Sequence, residues 1–241
     1  MCGRFVLISP LTVCGEDFPL DGPLPNYPPR YNIAPTQAIP VLRPLRAGVV
    51  GIALMRWGLI PRWSKGPDSR YSMINARAES VHERPAYAQA FRQRRALVPA
   101  NGYYEWQAAA GGSKRGAKQP FLIAKPKMAL FYMAALWDAW TPPPGHPVAG
   151  MEGRPVLSVT VVTTAATAQL RPIHDRMPVI VPAAAAQDWL APSTPSARLA
   201  EMLRGAADDF EIRPVSPTVN NAGHDAPDCI AAPLLLFSNE L

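Results

Sequence analysis

The sequence contains few cysteines, and their spacing does not suggest a paired set. Cys2, Cys14 and Cys229 are the only three, and they form no Cys-x-x-Cys pair. An odd number at these distances fits neither a disulfide framework nor a zinc module. We therefore expect a protein of a reducing compartment, the cytoplasm, with no metal site.

Long hydrophobic runs are also missing. No stretch of about 18 to 20 apolar residues occurs anywhere, which excludes a membrane-spanning helix and a membrane partner. The chain shows no internal repeat and no clear compositional boundary. We expect residues 1–241 to form one domain and the protein to be a monomer.

The bulk composition is that of a globular protein with a basic surface. Hydrophobic residues make up 48% of the 241 positions, enough for a packed core. The formal net charge is +6 at pH 7, which favours a polyanionic partner such as nucleic acid.

The 29 prolines are spread along the whole chain and divide it into short elements, which argues against a helical bundle. Runs rich in Val, Ile, Leu and aromatic residues predict strands, while short amphipathic patterns predict helices, the last with Ser196 as its N-cap. The prediction is an α+β fold built on an antiparallel sheet or barrel. The predicted strands are 38–42, 49–57, 95–98, 121–124, 129–137, 156–164 and 179–181, and the helices are 85–92, 183–190 and 196–204.

Three stretches rich in Pro and Gly predict loops, at 16–30, 108–120 and 141–155. The second carries Lys114, Arg115 and Lys118. These cations could contact a phosphate backbone, or they could form a solvated hairpin tip.

Cys2 follows the initiator methionine directly. Removal of Met1 would leave an α-amine and a thiol on the same residue. Since an α-amine has a much lower pKa than a lysine, it is the better nucleophile toward an aldehyde at neutral pH. The thiol could then add to the resulting Schiff base and close a five-membered thiazolidine ring. Alternatively, Cys2 is a small residue at a frayed terminus.

Four polar residues stand in otherwise apolar surroundings. Glu105 lies between aromatic residues, where loss of hydration would raise its pKa toward the range of a proton-transfer group. His174 can donate and accept protons near neutral pH. Asn75 and Arg176 occupy similar settings. Each of the four, taken alone, could instead be a hydrogen-bonded structural residue.

Seven short segments with distinctive residue patterns follow one another along the chain. They are CGRF at 2–5, RYNIAPT at 30–36, WGLIP at 57–61 with Trp63, INARAE at 74–79, PANGYYEW at 99–106, IHDRMP at 173–178, and PVS at 214–216 with VNN at 219–221. In this order they resemble the motifs of the SOS-response-associated peptidase family, whose members process abasic sites in DNA. The resemblance spans nearly the whole chain.

The resemblance implies covalent capture of abasic sites in single-stranded DNA, without a cofactor. Cys2 matches the terminal nucleophile, and removal of Met1 is the proposed self-cleavage behind the peptidase name. Asn75 matches the residue that positions the terminus, and Glu105 matches the carboxylate that assists sugar-ring opening. His174 matches the histidine that moves protons in Schiff-base chemistry of the lyase type and in release of the crosslink.

The resemblance also implies a set of residues that bind DNA. Cations along the backbone and aromatic faces against the bases are what a single-strand binder requires. An abasic nucleotide has no base to unstack, so moving it into a pocket costs less than flipping an intact one. The matching residues are Arg4, Asn32, Trp57, Trp63, Arg77, Trp106, Thr163 and Arg176.

Two other functions remain open from the sequence. One is a non-covalent reader of single-stranded or modified DNA in which Cys2 is idle. The other is an N-terminal-nucleophile amidohydrolase or cysteine peptidase that uses Cys2, His174 and Glu105. The basic charge and the Trp and Arg motifs have no role in the second alternative.

Overall fold

The computed structural model of the protein describes residues 2–67, 72–107, 118–143, 154–205 and 209–233. Within these ranges the fold is mixed α/β, with many strands and few, short helices. The strands are β1 (Phe5–Leu7), β2 (Arg30–Ile33), β3 (Ala38–Arg46), β4 (Val49–Trp57), β5 (Asn75–Arg77), β6 (Arg95–Ala100), β7 (Gly102–Gln107), β8 (Gln119–Ala124), β9 (Phe131–Trp140), β10 (Val156–Ala165), β11 (Arg176–Pro178), β12 (Ile180–Val181) and β13 (Glu211–Pro214). The α-helices are α1 (Cys14–Asp17), α2 (Pro85–Gln93), α3 (Ala183–Leu190) and α4 (Ser196–Arg204).

Five of the strands close into a ring. β4 pairs with β3, β3 with β6, β6 with β9 and β9 with β10, all antiparallel. A short parallel pairing between β10 and β4 completes the ring. A closed ring leaves no free strand edge among its members. The antiparallel, barrel-like core that the sequence predicts is therefore confirmed.

A second sheet covers one side of this barrel, in the order β13-β8-β7-β1-β2. Its inner face contributes Phe5 and Tyr103 to a cluster that also contains Val41 and Val161 of the barrel. The main apolar core thus lies between the sheet and the barrel. This sheet brings the N-terminal strand β1 beside β7, which carries Glu105.

The helices cover another part of the barrel surface. Phe91 of α2, Trp189 of α3 and Leu199 of α4 belong to one buried cluster with barrel residues. The predicted N-cap of α4 is wrong: Pro195 is the N-cap residue, in an extended conformation, and Ser196 is the first helical residue. No helix within the described ranges is long and apolar enough to cross a membrane.

Most predicted elements occur at or near their predicted positions. The strand at 49–57 and the helices at 183–190 and 196–204 have the predicted bounds. Residues 108–117 and 144–153 of two predicted loops, including Lys114 and Arg115, lie outside the described residues, as does Met1. Six strands that the sequence patterns did not predict are β1, β2, β5, β7, β11 and β13.

Candidate active site

The pairing of β1 with β7 leads the chain back to Cys2 inside the molecule. Phe5 lies opposite Tyr103, and the Tyr104 N–H donates to the Arg4 carbonyl at 3.0 Å. In an antiparallel pair, each step back along one strand corresponds to one step forward along the other. The segment before Arg4 therefore runs toward Glu105. Cys2 has no exposed surface.

Asn75 fixes the backbone of Cys2. It opens β5, a three-residue strand parallel to β10 and in register with Val161. Its side-chain Nδ2 donates to the Cys2 carbonyl oxygen at 2.9 Å. The other amide atom, Oδ1, is buried and accepts no hydrogen bond from any described residue. Asn75 therefore presents a spare acceptor close to the terminus.

The Cys2 thiol is held in its neutral form. Burial raises its pKa far above the ordinary value, and the negative charge of Glu105 raises it further. A hydrogen bond from the backbone of Arg4 acts in the opposite direction. Catalytic thiolates of hydrolases depend on a lowered pKa, which this site does not supply.

Glu105 is the buried carboxyl group of the site, with 4% of its surface exposed. Burial raises its pKa to about 7, because the charged form loses hydration. Asp175 adds a smaller upward effect through its charge. A carboxyl group with a pKa near the ambient pH can give and take protons in the same reaction.

His174 approaches Glu105 from the loop that precedes β11. Gln107, at the end of β7, donates to the Pro172 carbonyl at 2.9 Å and ties this loop to the strand of Glu105. The His174 Nε2 atom lies 4.0 Å from a Glu105 carboxylate oxygen. This distance exceeds a hydrogen bond, but catalytic contacts often shorten only when a substrate binds.

The two neighbours of His174 Nδ1 require different protonation states of this nitrogen. The Arg176 N–H, at 2.9 Å, needs a lone pair on Nδ1, whereas the Asp175 carboxylate, also at 2.9 Å, needs a proton there. Burial lowers the pKa of His174, and the 86% exposed side chain of Asp175 is screened by solvent. We therefore favour the neutral ring with its proton on Nε2, the nitrogen that faces Glu105.

Three of the predicted DNA-binding residues form a second group on the outer face of the same sheet. Arg4 donates to Asn32 Oδ1 at 2.9 Å and its guanidinium lies over the Trp106 ring, 5.9 Å from the centroid. Trp106 Nε1 donates to Asn220 Oδ1 at 2.7 Å. Asn32 is fully buried, and its Nδ2, with two N–H groups, lies within hydrogen-bond distance of three backbone carbonyls, of Val219, Asn221 and His224, at 3.2, 3.0 and 2.7 Å.

Other predicted DNA-binding residues are already engaged within the protein. Trp57 is fully buried and donates to the Ile74 carbonyl at 3.0 Å. Thr163 is also fully buried. Arg176 forms a two-point ion pair with Glu79, at 2.5 and 2.9 Å. These contacts favour supporting roles, whereas direct contact with DNA stays a prediction for all three.

Arg77 and Trp63 are exposed. Arg77 ends β5, two residues after Asn75. Trp63 is 63% exposed on the segment that leaves β4 at Gly58. Gly58 has a φ of +123°, and a Cβ there would lie 2.8 Å from the Ser72 carbonyl, so the turn requires glycine. Both residues are free to face a bound strand.

One group of potential metal ligands exists among the described residues. The ligand atoms of His224, Asp228 and Cys229 lie within 4.8 Å of one another. His224 Nε2 already contacts Asp228 Oδ1 at 2.7 Å, and the Cys229 thiol donates to the His224 carbonyl at 3.6 Å. The contacts within this group account for its geometry.

Tyr103 is a buried polar residue of the site that the sequence patterns did not indicate. Tyr103 lies two residues before Glu105 on β7, so both side chains project from the same face of the strand. It is fully buried in the same cluster as Cys2. The alternation of residues along a strand is the signal that could have identified it.

Comparison with known proteins gives a consistent result. The sequence profile of the SOS response associated peptidase (SRAP) family matches residues 1–222. The abasic site processing protein YoqW of Bacillus subtilis is 36% identical over 235 residues, covering 95% of this chain and 99% of its own. The abasic site processing protein HMCES of Xenopus tropicalis is 32% identical, covering 89% of this chain and 69% of its own.

Solved structures agree on the fold. A protein from Bacteroides thetaiotaomicron superposes with a TM-score of 0.76 at 20% identity, covering 97% of this chain and all of that one. A phage-related protein from Bordetella bronchiseptica gives 0.69 at 32% identity, covering 89% and 94%. The match in sequence and in fold extends over most of the chain, which therefore belongs to the SOS response associated peptidase family.

Proposed function

We propose that the protein binds single-stranded DNA at an abasic site and becomes covalently linked to it through Cys2, after Met1 has been removed. The family and the names of its relatives support processing of abasic sites. The observation that carries the covalent step is the hydrogen bond from Asn75 to the Cys2 carbonyl, which holds the residue inside the protein beside Glu105.

The first step is attack of the Cys2 α-amine on the aldehyde carbon of the ring-opened sugar. A C–N bond forms, and loss of one water molecule gives a Schiff base. Ring opening and dehydration each need a proton moved on or off oxygen. Glu105, with a pKa of about 7, and the Nε2 proton of His174 are suited to this transfer.

In the second step the Cys2 sulfur adds to the same carbon. The C–S bond forms, the π electrons of the C=N bond return to nitrogen, which takes up one proton, and the thiol proton passes to a base. The product is a thiazolidine, and water is the one leaving group of the whole sequence. The raised pKa of the thiol means that proton removal must accompany the attack, and Glu105, whose charge acts on this thiol, has a suitable pKa.

Asn75 can assist both steps. Its Nδ2 fixes the Cys2 backbone, and the buried Oδ1 can accept a hydrogen bond from the new α-amine. Such an acceptor would direct the lone pair of the amine during attack. The raised pKa of the thiol argues against a cysteine peptidase acting in trans, which needs a thiolate.

The test uses protein whose intact mass shows that it begins at Cys2. Incubation with single-stranded DNA carrying one abasic site should give a heat-stable protein–DNA band on a denaturing gel. Cys2→Ala keeps the amine but lacks sulfur, so its link should form only after borohydride reduction. Cys14→Ala removes another buried thiol and should crosslink normally.

Two outcomes would contradict the proposal. Equal binding of abasic and intact strands without a covalent band would favour the non-covalent reader. A heat-stable band of normal yield in Cys2→Ala without reduction would move the linkage to another residue.

A further inference from the structure

The hydroxyl group of Tyr103 is buried without a hydrogen-bond partner among the residues that the structure describes. The ring is held firmly, with an edge-to-face contact to Phe210 at a centroid distance of 6.1 Å. The neighbouring Tyr104 differs in this respect, because its hydroxyl donates to the Tyr31 carbonyl at 2.7 Å. Of these two adjacent buried tyrosines, the hydroxyl of Tyr104 has a hydrogen-bond partner, whereas that of Tyr103 has none among the described residues.

A buried hydroxyl without a partner lowers the stability of the folded state, and phenylalanine would fill almost the same space. Tyr103 shares its apolar cluster with Cys2, and its side chain projects from the same face of β7 as that of Glu105. Burial, followed by the charges of Cys2 and Glu105, raises the pKa of Tyr103. The hydroxyl therefore keeps its proton and remains a hydrogen-bond donor.

We infer that Tyr103 is a positioning residue for Cys2, whose hydroxyl donates a hydrogen bond to the sulfur as the thiol loses its proton. The inference rests on the proposed function. The thiol proton passes to Glu105, the C–S bond forms, and Tyr103 keeps its own proton throughout. With the backbone hydrogen bond from Arg4, the sulfur then has two donors at the moment when negative charge develops on it.

This role belongs to ring closure and not to the attack of the amine. Schiff-base formation needs no charge on sulfur, so loss of the hydroxyl should leave that step unchanged. Closure of the thiazolidine should be slowed, because an unstabilised thiolate is harder to form in a buried site.

The experiment compares Tyr103→Phe with the matched control Tyr104→Phe, both starting at Cys2. Three quantities are measured: the thiol profile, which is the rate at which a small alkylating agent modifies Cys2 at several pH values, followed by intact mass and corrected with the Cys2→Ala version of each protein; the rates of borohydride-trapped imine and of heat-stable crosslink; and the thermal unfolding midpoint. In Tyr103→Phe we expect slower alkylation of Cys2 at each pH and ring closure slowed on the order of tenfold. Imine formation should be normal and the unfolding midpoint equal or higher. Tyr104→Phe should lower the unfolding midpoint and leave the thiol profile unchanged.

Two results would overturn the inference. An unchanged thiol profile with normal ring closure in Tyr103→Phe would show that the hydroxyl does not act on sulfur. Equal slowing of both chemical steps with a lower unfolding midpoint would show a purely structural role. If the wild-type protein formed no crosslink, the proposed function would fail, and the thiol profile alone would still decide whether Tyr103 acts on Cys2.

Discussion

The side-chain amide of Asn75 and the backbone carbonyl of Cys2 are joined by a hydrogen bond of 2.9 Å across 73 positions of sequence. This contact connects Cys2 to β5, the short strand that pairs with barrel strand β10. It restrains the one residue whose amine and thiol the proposed chemistry uses. The geometry of the reaction should depend on it more than the stability of the fold does.

Replacement of Asn75 by Asp should therefore slow crosslinking by about 10- to 100-fold, because a carboxylate repels the Cys2 carbonyl and misplaces the amine. The rate of the heat-stable band on abasic DNA measures this. Asn101→Ala is the control. The Asn101 side chain accepts hydrogen bonds from the Ile8 and Ser9 N–H groups and donates one to the Met128 carbonyl, and none of these contacts involves Cys2. Asn101→Ala should lower the unfolding temperature instead. A normal rate in Asn75→Asp would contradict the positioning role.

Glu105→Gln should slow crosslinking and change the pH dependence of stability. The folded-state pKa of Glu105 is raised from 4.5 to about 7, so between these values the folded protein binds more protons than the unfolded chain. Stability is then full below about pH 4.5 and falls as the pH rises toward 7. At pH 8 Glu105→Gln should be more stable than wild type by up to about 3 kcal/mol, and the difference should vanish near pH 4.

Denaturant unfolding at several pH values measures this difference. Glu83→Gln, at an exposed side chain, serves as the control and should follow the wild-type curve. A variant that is less stable than wild type at pH 8 would mean that the Glu105 carboxylate is stabilised in the folded protein. The proton-transfer role would then lose its physical basis.

Arg77 and Arg176 should behave differently although both match DNA-binding motifs. Arg77 is exposed, so Arg77→Ala should weaken single-strand binding and reduce the slope of log affinity against log salt by about 0.7. Arg176 is paired with Glu79 and donates to the Thr163 carbonyl at 2.6 Å, so Arg176→Ala should chiefly lower stability. Salt titrations of binding and thermal unfolding separate the two effects. If Arg176→Ala instead weakened DNA binding and kept full stability, the ion pair between Arg176 and Glu79 would open when DNA binds.

The sequence predicted the barrel better than it predicted the strands that carry the site. The barrel strand at 49–57 is long and apolar, and its pattern needs no information from the rest of the fold. β5 and β11 have three residues each, and polar residues such as Asn75 and Arg176 interrupt their apolar patterns. Such strands exist because β10 supplies their hydrogen bonds, which a local pattern does not record.

The same limit applies to the individual site residues. Motif resemblance picked out Asn32 and Arg4 together but could not show that one accepts a hydrogen bond from the other. It also did not identify Tyr103. Tyr103 and Tyr104 are adjacent in the sequence, and nothing in the sequence shows which of the two hydroxyl groups has a hydrogen-bond partner. Burial and partners are set by tertiary contacts between distant segments.

Asn32→Ala should destabilise the protein by about 2 to 4 kcal/mol, because the Asn221 carbonyl loses its side-chain donor in a buried site and Arg4 loses the Asn32 Oδ1 acceptor. Denaturant unfolding measures the loss. Asn220→Ala removes one exposed acceptor, that of the Trp106 indole, and should cost little. If Asn32→Ala kept full stability and lost DNA binding instead, Asn32 would be a contact residue and not a structural one.

Trp63 should act as a stacking surface for a base. Its segment is anchored on both sides, since Arg62 contacts Asp138 at 3.1 Å and the Ser64 carbonyl accepts from the Trp140 indole at 2.9 Å. An exposed ring on a fixed backbone loses little entropy when a base stacks on it. Trp63→Ala should therefore weaken single-strand binding by about 1 to 3 kcal/mol and leave thermal unfolding unchanged. Leu54→Ala, at another exposed apolar side chain, should change neither quantity. Equal affinities of Trp63→Ala and wild type for single-stranded DNA, measured by fluorescence anisotropy, would exclude Trp63 from the binding surface.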